Sequence, residues 1–145
     1  MKPGSTCGQL VHQADIMATI AEIIGVDLPE NGGEDSFSLL PLLKGKERSV
    51  RLNAISCSIR GIPSIRLGEW KLILDSGSGG WTKGESDQKV QLYRLDKDPG
   101  ETSNLASKYP EKVDEMKKLL EKLIEDGRST AGKMQQNDVD VVRYQ

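Results

Sequence analysis

GIPSIRLGEWKLILD (residues 61–75) reads as two strands joined by a tight turn. Ile62, Ser64 and Arg66 alternate with Pro63, Ile65 and Leu67, the period of a pleated strand. Gly68, in Leu67-Gly68-Glu69, is free to take the positive φ that a short hairpin needs. Trp70–Leu74 then supplies the aromatic and aliphatic residues that suit a half-buried sheet. Pro63 has no N–H to give to a ladder, so the first strand lies at an edge or begins near that point.

Outward from this hairpin the chain supplies more strands. Leu52–Ser58 alternates weakly, with Ala54 and Ser56 on one face and Ile55 and Cys57 on the other. Gln88–Leu95 resumes a strand, with Val90, Leu92 and Arg94 sharing a face. Ser76–Gly84 between them is rich in glycine and serine and permits unusual backbone angles. Asp96–Glu101 is a turn.

Two helices flank the strands. Asp15 reads as the N-cap of a helix over Ile16–Ile24, with Gly25 as its stop. Its isoleucines, Ile16, Ile20, Ile23 and Ile24, fall on one face that needs a partner surface. A short turn over Ser38–Leu43, capped by Ser36 or Ser38, follows, and Gly45–Arg51 reads as charged and exposed. The second helix spans Pro110–Asp126, with Val113, Met116, Leu120, Leu123 and Ile124 as its apolar stripe and Gly127 as its stop. A polar tail holds one candidate strand, Val139–Tyr144. The fold class is α+β: an antiparallel sheet of about four strands packed against a long C-terminal helix.

The 145 residues support one domain or a piece of a larger protein, and 36% hydrophobic with 4% aromatic content is a thin supply for an independent core. A net charge of −2 gives no basic excess for nucleic acid, and no apolar run is long enough for a membrane span. The start, Met1–Ser5, is polar and reads as a cut inside a longer protein, with no signal peptide. Cys7 and Cys57 are too few for a disulfide framework, lack metal-ligand spacing and read as free thiols.

No catalytic set emerges from the residues alone. His12 is the one histidine, so a serine–histidine–aspartate arrangement has no independent support, and the residue reads as structural. Asp96, Asp98 and Glu101 lack the glycine and terminal glutamate of a calcium loop. Gly77–Gly80 lacks the lysine and following helix of a phosphate loop.

Four phrases in order resemble the sulfatases. KPGSTCGQLVHQADIMATIAEIIGVDLPE (residues 2–30) is similar to the passage running from a proline-glycine turn through a D-[LI]-x-x-T helix to a leucine-proline ending. SFSLLPLLKG (36–45), IPSIRLGEWKLIL (62–74) and QLYRLDKDPGETSNLAS (91–107) resemble the phrases that follow it in the family. GSGGW (77–81) and GRSTAG (127–132) are similar to the bacterial arylsulfatase-like group.

The resemblance implies a formylglycine-dependent sulfuric ester hydrolase of the alkaline-phosphatase superfamily, with calcium in the full-length parent. The formylglycine motif C/S-x-P-x-R is missing here: Cys7-Gly8-Gln9 and Cys57-Ser58-Ile59 both fail it. The resemblance therefore implies a C-terminal portion, inactive alone and holding neither cofactor. Residues 1–48 would close the parent's large α/β domain, and 49–145 would form the C-terminal subdomain. Loops of that subdomain help form the leaving-group pocket in the family, which makes Cys57, Ser58, Arg60, Gly77, Ser78 and Trp81 the substrate-pocket candidates. Arg60 would pair with an anionic sugar, and Trp81 would stack on a sugar ring. Arg66 and Lys71 read as residues of strand packing or ion pairing. The implied partners are the rest of the sulfatase chain and a sulfated small molecule or glycan, and the implied parent is periplasmic or secreted. Two other readings stay open: a stand-alone carbohydrate-binding or interaction module, and a phosphodiesterase or phosphonate hydrolase of the same superfamily.

Overall fold

The computed structural model describes residues 3–77 and 89–141. The elements run α1 (Asp15–Ile24), α2 (Leu40–Leu43), β1 (Asn53–Cys57), β2 (Pro63–Leu67), β3 (Trp70–Ile73), β4 (Gln91–Arg94) and α3 (Pro110–Asp126). The chain divides into two compact units: Met1–Ala54 with Leu123–Gln136, and Ile55–Lys122 with Asn137–Gln145.

The second unit is built on the hairpin. Leu67 pairs with Trp70 and Ile65 with Leu72, so the loop between β2 and β3 is Gly68-Glu69. Gly68 sits at φ 57°, which a β-carbon would strain. β4 pairs antiparallel with β3, placing Leu92 opposite Leu72, and the sheet order β1-β2-β3-β4 is a meander. Pro63 is the first residue of an interior strand, so its missing donor falls at the strand start. Ile65, Leu72, Leu92, Met116 and Leu120 are fully buried and form the core of this unit. Four residues of the α3 stripe, Val113, Met116, Leu120 and Ile124, are buried as their spacing requires, and Leu123 beside them is half-buried.

The outer edge of β4 is closed by the segment that follows it. Asn104 Oδ1 accepts from the Leu92 N–H, and Asn104 Nδ2 donates to the Val90 carbonyl. The Leu105 N–H donates to the Leu92 carbonyl, and the Arg94 carbonyl accepts from Lys97 and Asp98. Both backbone groups of Leu92 and the carbonyls of Val90 and Arg94, which an edge strand would otherwise expose, are thereby used within the chain.

The first unit is held by polar contacts as much as apolar ones. α1 begins one residue earlier than its periodicity suggests, and its N-cap is Ala14, without a side-chain cap bond. Asp15 is not the cap. Its carboxylate turns inward and is 0% exposed, accepting from the backbone N–H groups of His12 (2.7 Å) and Phe37 (3.1 Å) and from Arg51 Nη1 (2.7 Å). Arg51 is correspondingly 4% exposed, against the expectation of an exposed charged run. Its Nε donates to the Asn53 carbonyl, and the guanidinium lies 5.0 Å from the centre of the Phe37 ring. A buried charge must be paired, and here the pair is reinforced by the backbone N–H groups that Asp15 accepts from and by the carbonyl that Arg51 Nε reaches.

Ser36 does not cap α2 either. Its hydroxyl inserts into the first turn of α1, accepting from the Ala18 N–H and donating to the Ala14 carbonyl. Ser38 Oγ accepts from the Leu40 N–H at the start of α2 instead. Thr19 Oγ1 donates to the Asp15 carbonyl and accepts from the Leu39 N–H. These bonds turn the polar side of α1 inward. The isoleucine side remains open, with Ile16, Ile20, Ile23 and Ile24 at 53%, 52%, 58% and 66% exposure.

After α3 the chain turns at Gly127, where a β-carbon would lie 2.0 Å from the Gln135 carbonyl oxygen, so no larger residue fits. Arg128 then donates to the carbonyls of Glu30, Thr130, Ala131 and Lys133, and Thr130 Oγ1 donates to the Glu34 carbonyl. Val139–Val141 is not a strand, and the rest of that expected element lies outside the described residues.

Candidate functional site

In a meander the loops alternate between the two ends of the sheet. The β1–β2 turn and the beginning of the β3–β4 connection therefore share one end, and Gly68-Glu69 lies at the other. The topology thus brings the Cys57–Arg60 candidates and Gly77 to the same end. Ser78 and Trp81 lie outside the described residues.

Ser58 organises its turn. Its N–H donates to the Ile62 carbonyl, and its hydroxyl accepts from the N–H groups of Arg60 and Ile62. This commits its oxygen to the backbone, which is a positioning role rather than a free nucleophile. Arg60 rides on that fixed turn, exposed, and its guanidinium makes no hydrogen bond or ion pair among the described residues. An ordered backbone carrying an uncommitted guanidinium suits recognition of a planar anion. Cys57 is an exposed free thiol at the end of β1.

The opposite end of the sheet is a lock, and the motif residues there are spent on it. Lys71 Nζ bonds both carboxylate oxygens of Glu101 at 2.7 and 3.0 Å. Glu101 holds φ 54°, an uncommon backbone for a residue with a side chain. Asp98 accepts from the Thr102 and Ser103 N–H groups and from Thr102 Oγ1. The backbone hydrogen bonds from Thr102 and Ser103 hold its carboxyl below the ordinary aspartate value. Arg66 Nε donates to the Gly68 carbonyl, and Asp96 pairs with Arg94 at 2.9 Å. Lys71 and Arg66 are therefore ion-pairing and turn-holding residues.

His12 also serves the fold: its Nδ1 accepts from the Ala14 N–H at the start of α1. No group of three or more histidine, cysteine or acidic residues that could hold a metal exists among the described residues. The C/S-x-P-x-R motif is missing from the 145 residues as well, and the donors among the described residues do not fit calcium.

Two buried polar groups are invisible to sequence pattern. Gln91 and Tyr93, at 6% and 7% exposure, flank Leu92 on β4. Tyr93 Oη donates to Gln91 Oε1 at 2.6 Å. Gln91 Nε2 donates to the carbonyls of Asp75 and Gly77 at 2.6 and 2.8 Å, at the sheet end that carries the candidates. A glutamine in a strand carries no signal of such a role beyond its being polar among apolar neighbours.

No family model matches the chain. It is 37% identical over 117 residues to an N-acetylgalactosamine-6-O-sulfatase of Bacteroides thetaiotaomicron, covering 77% of this chain and 23% of that protein. It is 32% identical over 154 residues to an ulvan-active sulfatase of Formosa agariphila (87% and 30%), and 30% identical over 138 residues to human arylsulfatase A (81% and 27%). A structure solved in work on the metabolism of multiple glycosaminoglycans by Bacteroides thetaiotaomicron superimposes with TM-score 0.69 at 35% identity, covering 81% of this chain and 25% of that one. A solved putative sulfatase of the same organism gives 0.57 at 23% identity, a likeness of fold (86% and 27%). The chain spans about a quarter of the length of the curated relatives it matches.

Proposed function

We propose, starting from a chain that belongs to the sulfatase family as a C-terminal portion, that the full-length protein hydrolyses carbohydrate sulfate esters and that this portion lines the leaving-group side of its pocket. The reacting groups, calcium and formylglycine among them, would lie in the remainder of the parent. One observation carries the assignment of this portion: the Arg60 guanidinium, with no partner among the described residues, stands on a turn whose backbone Ser58 pins, at the same sheet end as the start of the β3–β4 connection. A guanidinium there would donate hydrogen bonds to the sugar, to its hydroxyl and acetamido oxygens or to an acidic substituent where one is present, while the sulfate is transferred elsewhere. Residues 1–48 belong, on this reading, to the end of the parent's catalytic domain. The open isoleucine side of α1 is the surface that the remainder of that domain would cover.

The test is the full-length protein with 4-nitrophenyl sulfate, an aryl phosphodiester and 6-O-sulfated N-acetylgalactosamine. Turnover of the sulfates above the phosphodiester supports the reading, and a clear phosphodiester preference overturns it. Arg60→Ala should raise KM for the sugar sulfate and leave the small aryl sulfate unaffected. No change for either substrate removes Arg60 from the pocket.

A further inference from the structure

The β3–β4 connection leaves the sheet at Leu74, and its first residues are held by one side chain. Gln91 pairs across the ladder with Ile73, which puts its carboxamide at the mouth of the connection. That carboxamide has two N–H bonds and one carbonyl oxygen, and each has a partner. The nitrogen serves two backbone carbonyls two residues apart, Asp75 and Gly77, and the oxygen receives the Tyr93 hydroxyl. The reverse orientation of the amide would set its oxygen against two carbonyl oxygens, so the hydrogen bonds fix which way it points. Asp75 Oδ1 adds a bond from the Ser76 N–H, and Gly77 turns at φ 72°.

An apolar side chain at position 91 would fill the same volume without the cost of burying an amide. The arrangement has a distinct geometric product: it clamps the path of residues 75–77 as they leave the sheet. Burial first, and then the charges of Glu101 and Asp98, push the Tyr93 phenol above its ordinary value, so it stays protonated and keeps donating.

We propose that Gln91, oriented by Tyr93, is a positioning residue for substrate: it sets where the Asp75–Gly77 backbone stands relative to Arg60 without itself touching the sugar. The inference rests on the reading of this sheet end as the leaving-group side. Displacing such a support by about 1 Å can cost up to about 100-fold in turnover of the substrate it positions.

The experiment uses the full-length protein with Gln91→Met, Tyr93→Phe and, separately, Arg60→Ala. Each is assayed on 6-O-sulfated N-acetylgalactosamine and on 4-nitrophenyl sulfate, with Tm recorded. Gln91→Met should raise KM for the sugar sulfate by about tenfold or more and hold kcat on the aryl sulfate within about twofold. Tyr93→Phe should move KM in the same direction by less. An unchanged sugar KM in Gln91→Met overturns the inference. So does an equal fall of kcat on both substrates with a lowered Tm, which marks a residue that only packs the core. If Arg60→Ala raises the sugar KM and Gln91→Met does not, the positioning role alone falls. If neither variant moves it, the reading of this sheet end falls with it.

Discussion

Arg51 and Asp15 show what a single buried pair costs to disturb. Both are shut away from water, and Asp15 keeps two backbone donors besides the guanidinium. Removing one partner strands the other charge, so Arg51→Met should cost about 3–5 kcal/mol. Adding Asp15→Asn should recover most of that loss, because the pair is then replaced and no lone charge remains. A double-mutant cycle in urea reads this directly, and additive losses would refute the coupling. Pattern alone could not find this pair, because the partners lie 36 residues apart. A lone aspartate ahead of an apolar helix is most often a cap, and local sequence holds nothing to say that it turns inward. Asp98 offers a pH counterpart. Its folded value lies below the unfolded 3.8, so the turn gains from the charged form above that pH and loses the gain as pH falls through the lower folded value. Amide protection at Thr102 and Ser103 should therefore hold at pH 5 and decline in strong acid, and Asp98→Asn should abolish that decline.

At the scale of elements, periodicity carried the reading where burial follows one face. The α3 stripe, the β2–β3 hairpin and the start of β2 at Pro63 stand where alternation and turn chemistry put them. β4 was harder, because Gln91, Leu92 and Tyr93 are all buried and a strand covered on both faces has no alternation to read. α1 inverts the usual relation: its apolar side is open and its polar side is bonded inward. Ile20→Glu with Ile23→Glu should therefore change the unfolding free energy of this 145-residue chain by no more than about 0.5 kcal/mol. The same pair should lower its binding of a hydrophobic dye. If the rest of the parent covers α1 as proposed, these substitutions should be strongly destabilising in the full-length protein, where they would place charge against that surface. A large loss in the short chain would show that the isoleucines already have a partner there.

For the whole molecule, the 145 residues taken alone should split no sulfate ester, with or without added calcium. Metal-stimulated turnover by the purified chain, free of contaminants, would contradict this. The placement of the candidate residues was legible as far as topology reaches: alternating strands and a two-residue hairpin already put residues 57–60 and 77 at the same end of the sheet. The clamp by Gln91 was not, because it depends on side-chain direction within a strand. The closed flank of β4 also limits how copies of this sheet can associate. With both Leu92 groups and the Val90 and Arg94 carbonyls occupied, a neighbouring molecule finds little to pair with along β4. A building block with a single adhesive flank makes pairs and then stops, whereas a growing fibril requires two.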